Sequence, residues 1–162
     1  MTMAGTIRAG VAFLILVLLH YSLRPLLGWR AEIDFLLIAM LLAAVRVRPG
    51  TAAVIGLLIG LVADSLTPGA FGAGALAMSL VGFGASWLKA AFFADNLALN
   101  GFFFFAGRWA FAIIYVLAEH QRRGIELAQE VFVWAPLSAA VTAVAGVIAL
   151  VVMRPLLEPQ TT

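Results

Sequence analysis

Two ionisable side chains interrupt apolar runs of membrane-helix character, and both are candidates for chemistry. Asp64 closes the series Gly56, Gly60, Asp64, one residue in every four, so a helix over 51–66 places all three on one narrow stripe. Inside a bundle its carboxylate either caps the helix that begins after Pro68 or pairs with a cation; at the headgroup boundary it meets water. Arg108 lies eleven residues from either end of the apolar run 97–119, near mid-depth for a helix rising about 1.5 Å per residue. Inserting an arginine there costs at least about 2.5–3.5 kcal/mol. Its guanidinium must face a polar cavity, a carboxylate or backbone carbonyls, or else reach an interface by helix tilt. Asp64 is the natural counter-charge, and Asp64 with Arg108 forms the expected buried polar site.

The other polar residues offer less. His20, Tyr21 and Arg24 make a polar end to the first apolar run and read as an interfacial anchor. His120 sits in the polar connector 119–130, which reads as a solvated loop or a short surface helix. Two distant histidines without carboxylates at ligand spacing, in a chain without cysteine, give no metal site. Ser65, Ser79, Ser86 and Ser138 have no histidine or lysine placed by a local motif. Neither a G-x-S-x-G elbow nor a glycine-rich phosphate loop is present. No catalytic residue and no cofactor is expected.

The elements that position these residues are membrane helices. The 162 residues are 64% hydrophobic and 11% charged, against about 45–50% and about 25% in soluble domains. The net charge of +2 is too small and too dispersed for nucleic-acid binding. A spanning helix needs about 20 apolar residues. Six candidates follow at about 7–27, 33–47, 51–66, 70–93, 97–119 and 131–153, a single integral-membrane domain over 1–162 and an all-α polytopic bundle. Arg8 precedes the apolar core 9–19, but no small-x-small cleavage site follows, so an uncleaved first helix is the better reading. The run 33–47 is short and spans only with Glu32 and Asp34 at one interface and Arg46 and Arg48 snorkelling to the other.

Glycines shape the middle of the chain. Gly56 and Gly60 allow a second helix backbone to approach closely. Thr67-Pro68-Gly69 stops the helix, and the next one carries Gly72, Gly74, Gly82 and Gly84. A tight hairpin with a glycine-rich inner face and one acid near its tip results. The run Phe102 to Phe105 covers every face of its helix and meets lipid and neighbouring helices, or a partner's membrane helix. With the N-terminus inside, Arg8, Arg46, Arg48, Lys89 and Arg154 face in while Arg24, Arg30, Arg122 and Arg123 face out, too even a split to fix orientation.

The order Gly56-x3-Gly60-x3-Asp64, then Phe71-Gly72, Leu76, Leu80 and Gly82, resembles MreD, the rod-shape-determining membrane protein family of the bacterial elongation machinery. Residues 46–88 carry the motif, and the length and layout of six spans are similar over the whole chain. The resemblance implies a non-catalytic protein of the bacterial inner membrane with both termini cytoplasmic. It also implies binding to MreC, a single-span protein, and work alongside MreB, RodA and a penicillin-binding transpeptidase in side-wall peptidoglycan synthesis. It implies a bundle similar to the substrate-binding subunits of energy-coupling-factor transporters.

Two functional classes follow. A scaffold holds a partner's membrane helix against helix-packing residues Gly56, Gly60, Phe71, Gly72 and Gly82. A small-molecule-binding transporter subunit instead gathers Asp64, Arg108, His20 and Tyr21 around a water-accessible pocket.

Overall fold

A short helix at the centre of the bundle organises the fold. The computed structural model describes residues 10, 11, 14–19, 22, 33–66, 71–92, 96–119 and 124–157. Among them every regular element is helical: α1 Phe35–Ala44, α2 Pro49–Leu66, α3 Ala73–Phe92, α4 Leu97–Glu119, α5 Ile125–Gln129, a π-helical turn Glu130–Trp134, and α6 Ala135–Leu157. The described residues of the expected first span are helical as well, and Leu16 joins the core.

Three helical stretches, Pro49–Leu66, Leu97–Glu119 and Ile125–Val152, are long and apolar enough to cross a membrane, which marks the chain as a membrane protein. The expected helix 97–119 has the observed bounds. The expected 51–66 begins earlier, at Pro49, because proline at the first helical position loses no bond that the helix needs. Within the expected 70–93 the described helix is Ala73–Phe92, preceded by a turn at Phe71 and Gly72. The last helix begins well before the expected Val131, since α5, the π turn and α6 run on as one stretch.

The largest departure is at 33–47. There α1 has ten residues, roughly 15 Å of helix and half the roughly 30 Å hydrocarbon thickness. Asp34 starts it: Oδ1 accepts from the Leu37 N–H at 3.0 Å, an N-cap bond. At its other end Arg46 N–H and Val47 N–H bond to Ala43 and Ala44 carbonyls, a tightening turn that closes the helix before Pro49. Its sequence, FLLIAMLLAA, is apolar on every side, as a helix surrounded by protein should be. Leu37, Ile38, Met40 and Leu41 are fully buried, and α1 touches α2, α3, α4 and α6.

Around this centre the long helices form two pairs. The pairing of α2 with α3 is the most extensive, followed by α4 with α6, and α3 joins α4 to link them. Glycines set the closest approaches. A Cβ on Gly56 would collide with the Met78 carbonyl, and one on Gly60 with Ala75 Cα, so only hydrogen fits along this seam. At Gly82 a Cβ would lie 2.8 Å from the Ala52 carbonyl oxygen and 3.2 Å from Met40 Sδ, where α1, α2 and α3 meet. Gly107 receives the Leu41 side chain and Gly146 the Phe104 ring, seating large residues of α1 and α4 against small ones. Gly84, expected on the inner face, has open space around it.

Candidate functional site

The carboxylate beside Arg108 belongs to Asp34. Arg108 Nε lies 4.0 Å from Asp34 Oδ2, with the two side chains 15% and 14% exposed. That distance makes an ion pair but exceeds hydrogen-bond range, and Nε is buried without a hydrogen-bond partner. The guanidinium carbon also sits 5.5 Å from the centre of the Phe111 ring, one turn on, a cation–π contact. Asp34 is engaged on three sides. Oδ1 caps α1, Oδ2 faces Arg108, and its N–H donates to Thr142 Oγ1 of α6 at 3.2 Å. Thr142 itself is fully buried.

This cluster ties the N-terminus of the central helix to the middle of α4 and to α6. The Asp34 carboxylate thus lies between the N-terminal N–H groups of α1 and the Arg108 guanidinium. The expected pairing of Arg108 with Asp64 is thereby corrected. Asp34 stands next to the short apolar run and reads in sequence as an interfacial acid. Because α1 is only half a membrane thick, that end falls level with the inside of α4 instead.

Asp64 has a different partner. Its Oδ2 accepts from Gly72 N–H at 2.9 Å and Ala75 N–H at 3.1 Å, so it caps α3 from the end of α2. Of the readings open in the sequence, capping is the one realised. Gly74 has no side chain because a Cβ there would strike Asp64 Oδ1. Gly72, expected as a packing residue, acts through its backbone: its φ is +98° and nothing lies close to where a Cβ would sit. The turn must pass through a left-handed conformation to aim its N–H at the carboxylate.

The bulky motif residues Phe71, Leu76 and Leu80 point outward. Phe71 is 70% exposed, and Leu76, Leu80, Phe83 and Trp87 lie on the outer surface of α3. Spaced 76, 80, 83, 87, they form one stripe along the helix. Within the aromatic run of α4, Phe103 and Phe104 are buried while Phe102 is exposed.

Two features had no local signal in the sequence. The Val47 carbonyl accepts from both Ser86 Oγ at 2.7 Å and Lys89 Nζ at 3.0 Å, pinning the exit of α1 to the end of α3. Trp109 Nε1 donates to the Val131 carbonyl at 3.1 Å, inside the π turn, where Ala135 N–H bonds back to Glu130. The shifted bonding of a π turn disturbs the regular ladder and opens a carbonyl to a side-chain donor. The expected contributions of His20, Tyr21, Arg24 and His120 lie outside the described residues. Among the described residues no group of three His, Asp or Glu side chains is placed to hold a metal ion. No family model, curated protein or solved structure matches the chain.

Proposed function

We propose that this chain is a non-catalytic membrane scaffold of the bacterial cell-elongation complex, an MreD-like protein that holds the single membrane helix of an MreC-like partner. In this reading it crosses the inner membrane six times, with both termini cytoplasmic and one short passage that includes α1. Through its partner it acts with MreB, RodA and a penicillin-binding transpeptidase in side-wall peptidoglycan synthesis.

The observation that carries the reading is the division of labour within the motif. Gly56, Gly60, Gly82 and Asp64 are spent on the α2–α3 hairpin, whereas Phe71, Leu76 and Leu80 stand on its outer surface. Bulky motif residues outside a seam of glycines give a rigid helix pair with a ridged apolar face. A partner helix packs on such a face through van der Waals contact.

A pull-down of the tagged full chain from mild detergent, with mass spectrometry of what stays bound, tests this. Stoichiometric recovery of a single-span protein with a large extracytoplasmic domain is the expected result. Recovery of an ATPase-linked membrane subunit, or of a tightly held small molecule, would replace it with the alternative, a substrate-binding subunit of an energy-coupling-factor type transporter. The one feature that favours that alternative is the buried cluster of Asp34, Arg108 and Thr142, polar groups converging between helices.

A further inference from the structure

We infer that the end of the bundle formed by the α1–α2 connector and the last turn of α3 is a binding site for the headgroup of an acidic phospholipid. Arg46 and Arg48 flank Val47 in sequence, and Lys89 reaches the Val47 carbonyl at 3.0 Å. The fold therefore brings Lys89 of α3 to the segment that carries Arg46 and Arg48, about forty residues earlier in sequence. Arg46 and Arg48 are exposed, and Ser86 shares the Val47 carbonyl with Lys89, which fixes the connector. Among the described residues of these helices the carboxylates are engaged elsewhere: Asp34 lies at the opposite end of α1, and Asp64 caps α3 from the far end of α2.

The shared chemistry is a phosphate anion, and the surroundings select a lipid as its source. Directly beyond Arg48, α2 begins with Pro49 and presents Val54, Leu58 and Val62 on the outer surface, spaced four residues apart along one face. Trp87, between Ser86 and Lys89, is 72% exposed, an amphipathic ring of the kind that sits at headgroup level. A cationic corner opening onto an apolar helix face matches an amphiphile with an anionic head and an acyl tail. A free phosphate would use only the corner. Basic pockets between membrane helices bind acidic headgroups for this reason. The inference does not require the scaffold reading, which rests on Phe71, Leu76 and Leu80 farther along the α2–α3 hairpin.

The test uses the full chain in lipid nanodiscs, with native mass spectrometry counting phosphatidylglycerol against phosphatidylcholine retained on release. Each arginine near an acidic surface is worth roughly five-fold in affinity. Wild type should prefer phosphatidylglycerol, and Arg46→Gln with Arg48→Gln should reduce that preference about twenty- to thirty-fold. Arg46→Lys with Arg48→Lys should keep most of it, which separates lost charge from lost fold. Arg122→Gln with Arg123→Gln, removing the same charge from a part of the sequence far from Arg46 and Arg48, should leave it intact. Absence of preference in wild type, or equal loss in both glutamine pairs, would overturn the site. Displacement of the lipid by millimolar inorganic phosphate would overturn the lipid as its occupant.

Discussion

Arg108 shares its buried environment with Asp34, 4.0 Å away, while Asp64 is bound to the N-terminus of α3. One ion pair thus joins the half-length central helix to α4, and one cap joins α2 to α3. The two acids do separate jobs, and their effects should separate.

Asp34→Asn and Arg108→Gln should each lower thermal stability in detergent. The double variant should fall short of the sum, with a coupling of about 0.5–3 kcal/mol. Asp64→Asn combined with Arg108→Gln should be additive to within about 0.5 kcal/mol. Additivity in the first pair, or coupling in the second, would contradict the assignment.

Gly60→Leu should disrupt the α2–α3 seam, because any Cβ there meets the Ala75 backbone. Overpacking of this kind costs about 1–3 kcal/mol or more. Leu61→Ala, on the same helix, should matter much less. The fraction of monodisperse protein after extraction reads the difference, and equal yields would count against the glycine seam.

Gly72→Ala must force a side chain into φ +98°, whereas Gly84→Ala enters open space. The first should cost about 1–2 kcal/mol, and the second should be neutral or slightly stabilising. Asp64→Ala should cost about 0.5–2 kcal/mol through the lost cap. Asp64→Asn, which keeps an acceptor, should cost less. Melting temperatures of the four variants suffice.

Trp109→Phe keeps the ring but removes the donor to Val131. A loss of about 0.5–1.5 kcal/mol is expected, with faster amide exchange at the π turn than in the rest of α6. Unchanged exchange there would mean that the indole does not hold the turn.

The sequence carried the hairpin because it is local, and it offered the Asp64 cap only as one alternative to an ion pair. The four-residue spacing of Gly56, Gly60 and Asp64 and the break after Leu66 are visible without a tertiary structure. The bounds of α4 were legible for the same reason, as an apolar run between Asn96 and the polar connector. The placement of α1 was not. In a membrane, lipid-facing and protein-facing surfaces are equally apolar, so nothing in FLLIAMLLAA distinguishes a central helix from a peripheral one. Once α1 is known to be central and short, Asp34 moves from an interface to the bundle interior. Pairing Arg108 with it requires that knowledge. Thr142 and the shared Val47 carbonyl are likewise contacts between residues far apart in sequence, with no periodic signal.

The most direct measurement is photo-crosslinking in intact cells, with a photoreactive phenylalanine derivative in place of Leu80 on the outer stripe of α3. The same replacement at Ile148, exposed on α6, is the comparison. The scaffold account predicts one strong adduct from position 80, to a single-span membrane protein, and none of comparable yield from position 148. Equal, diffuse labelling from both positions would show that the stripe faces only lipid, and would contradict it.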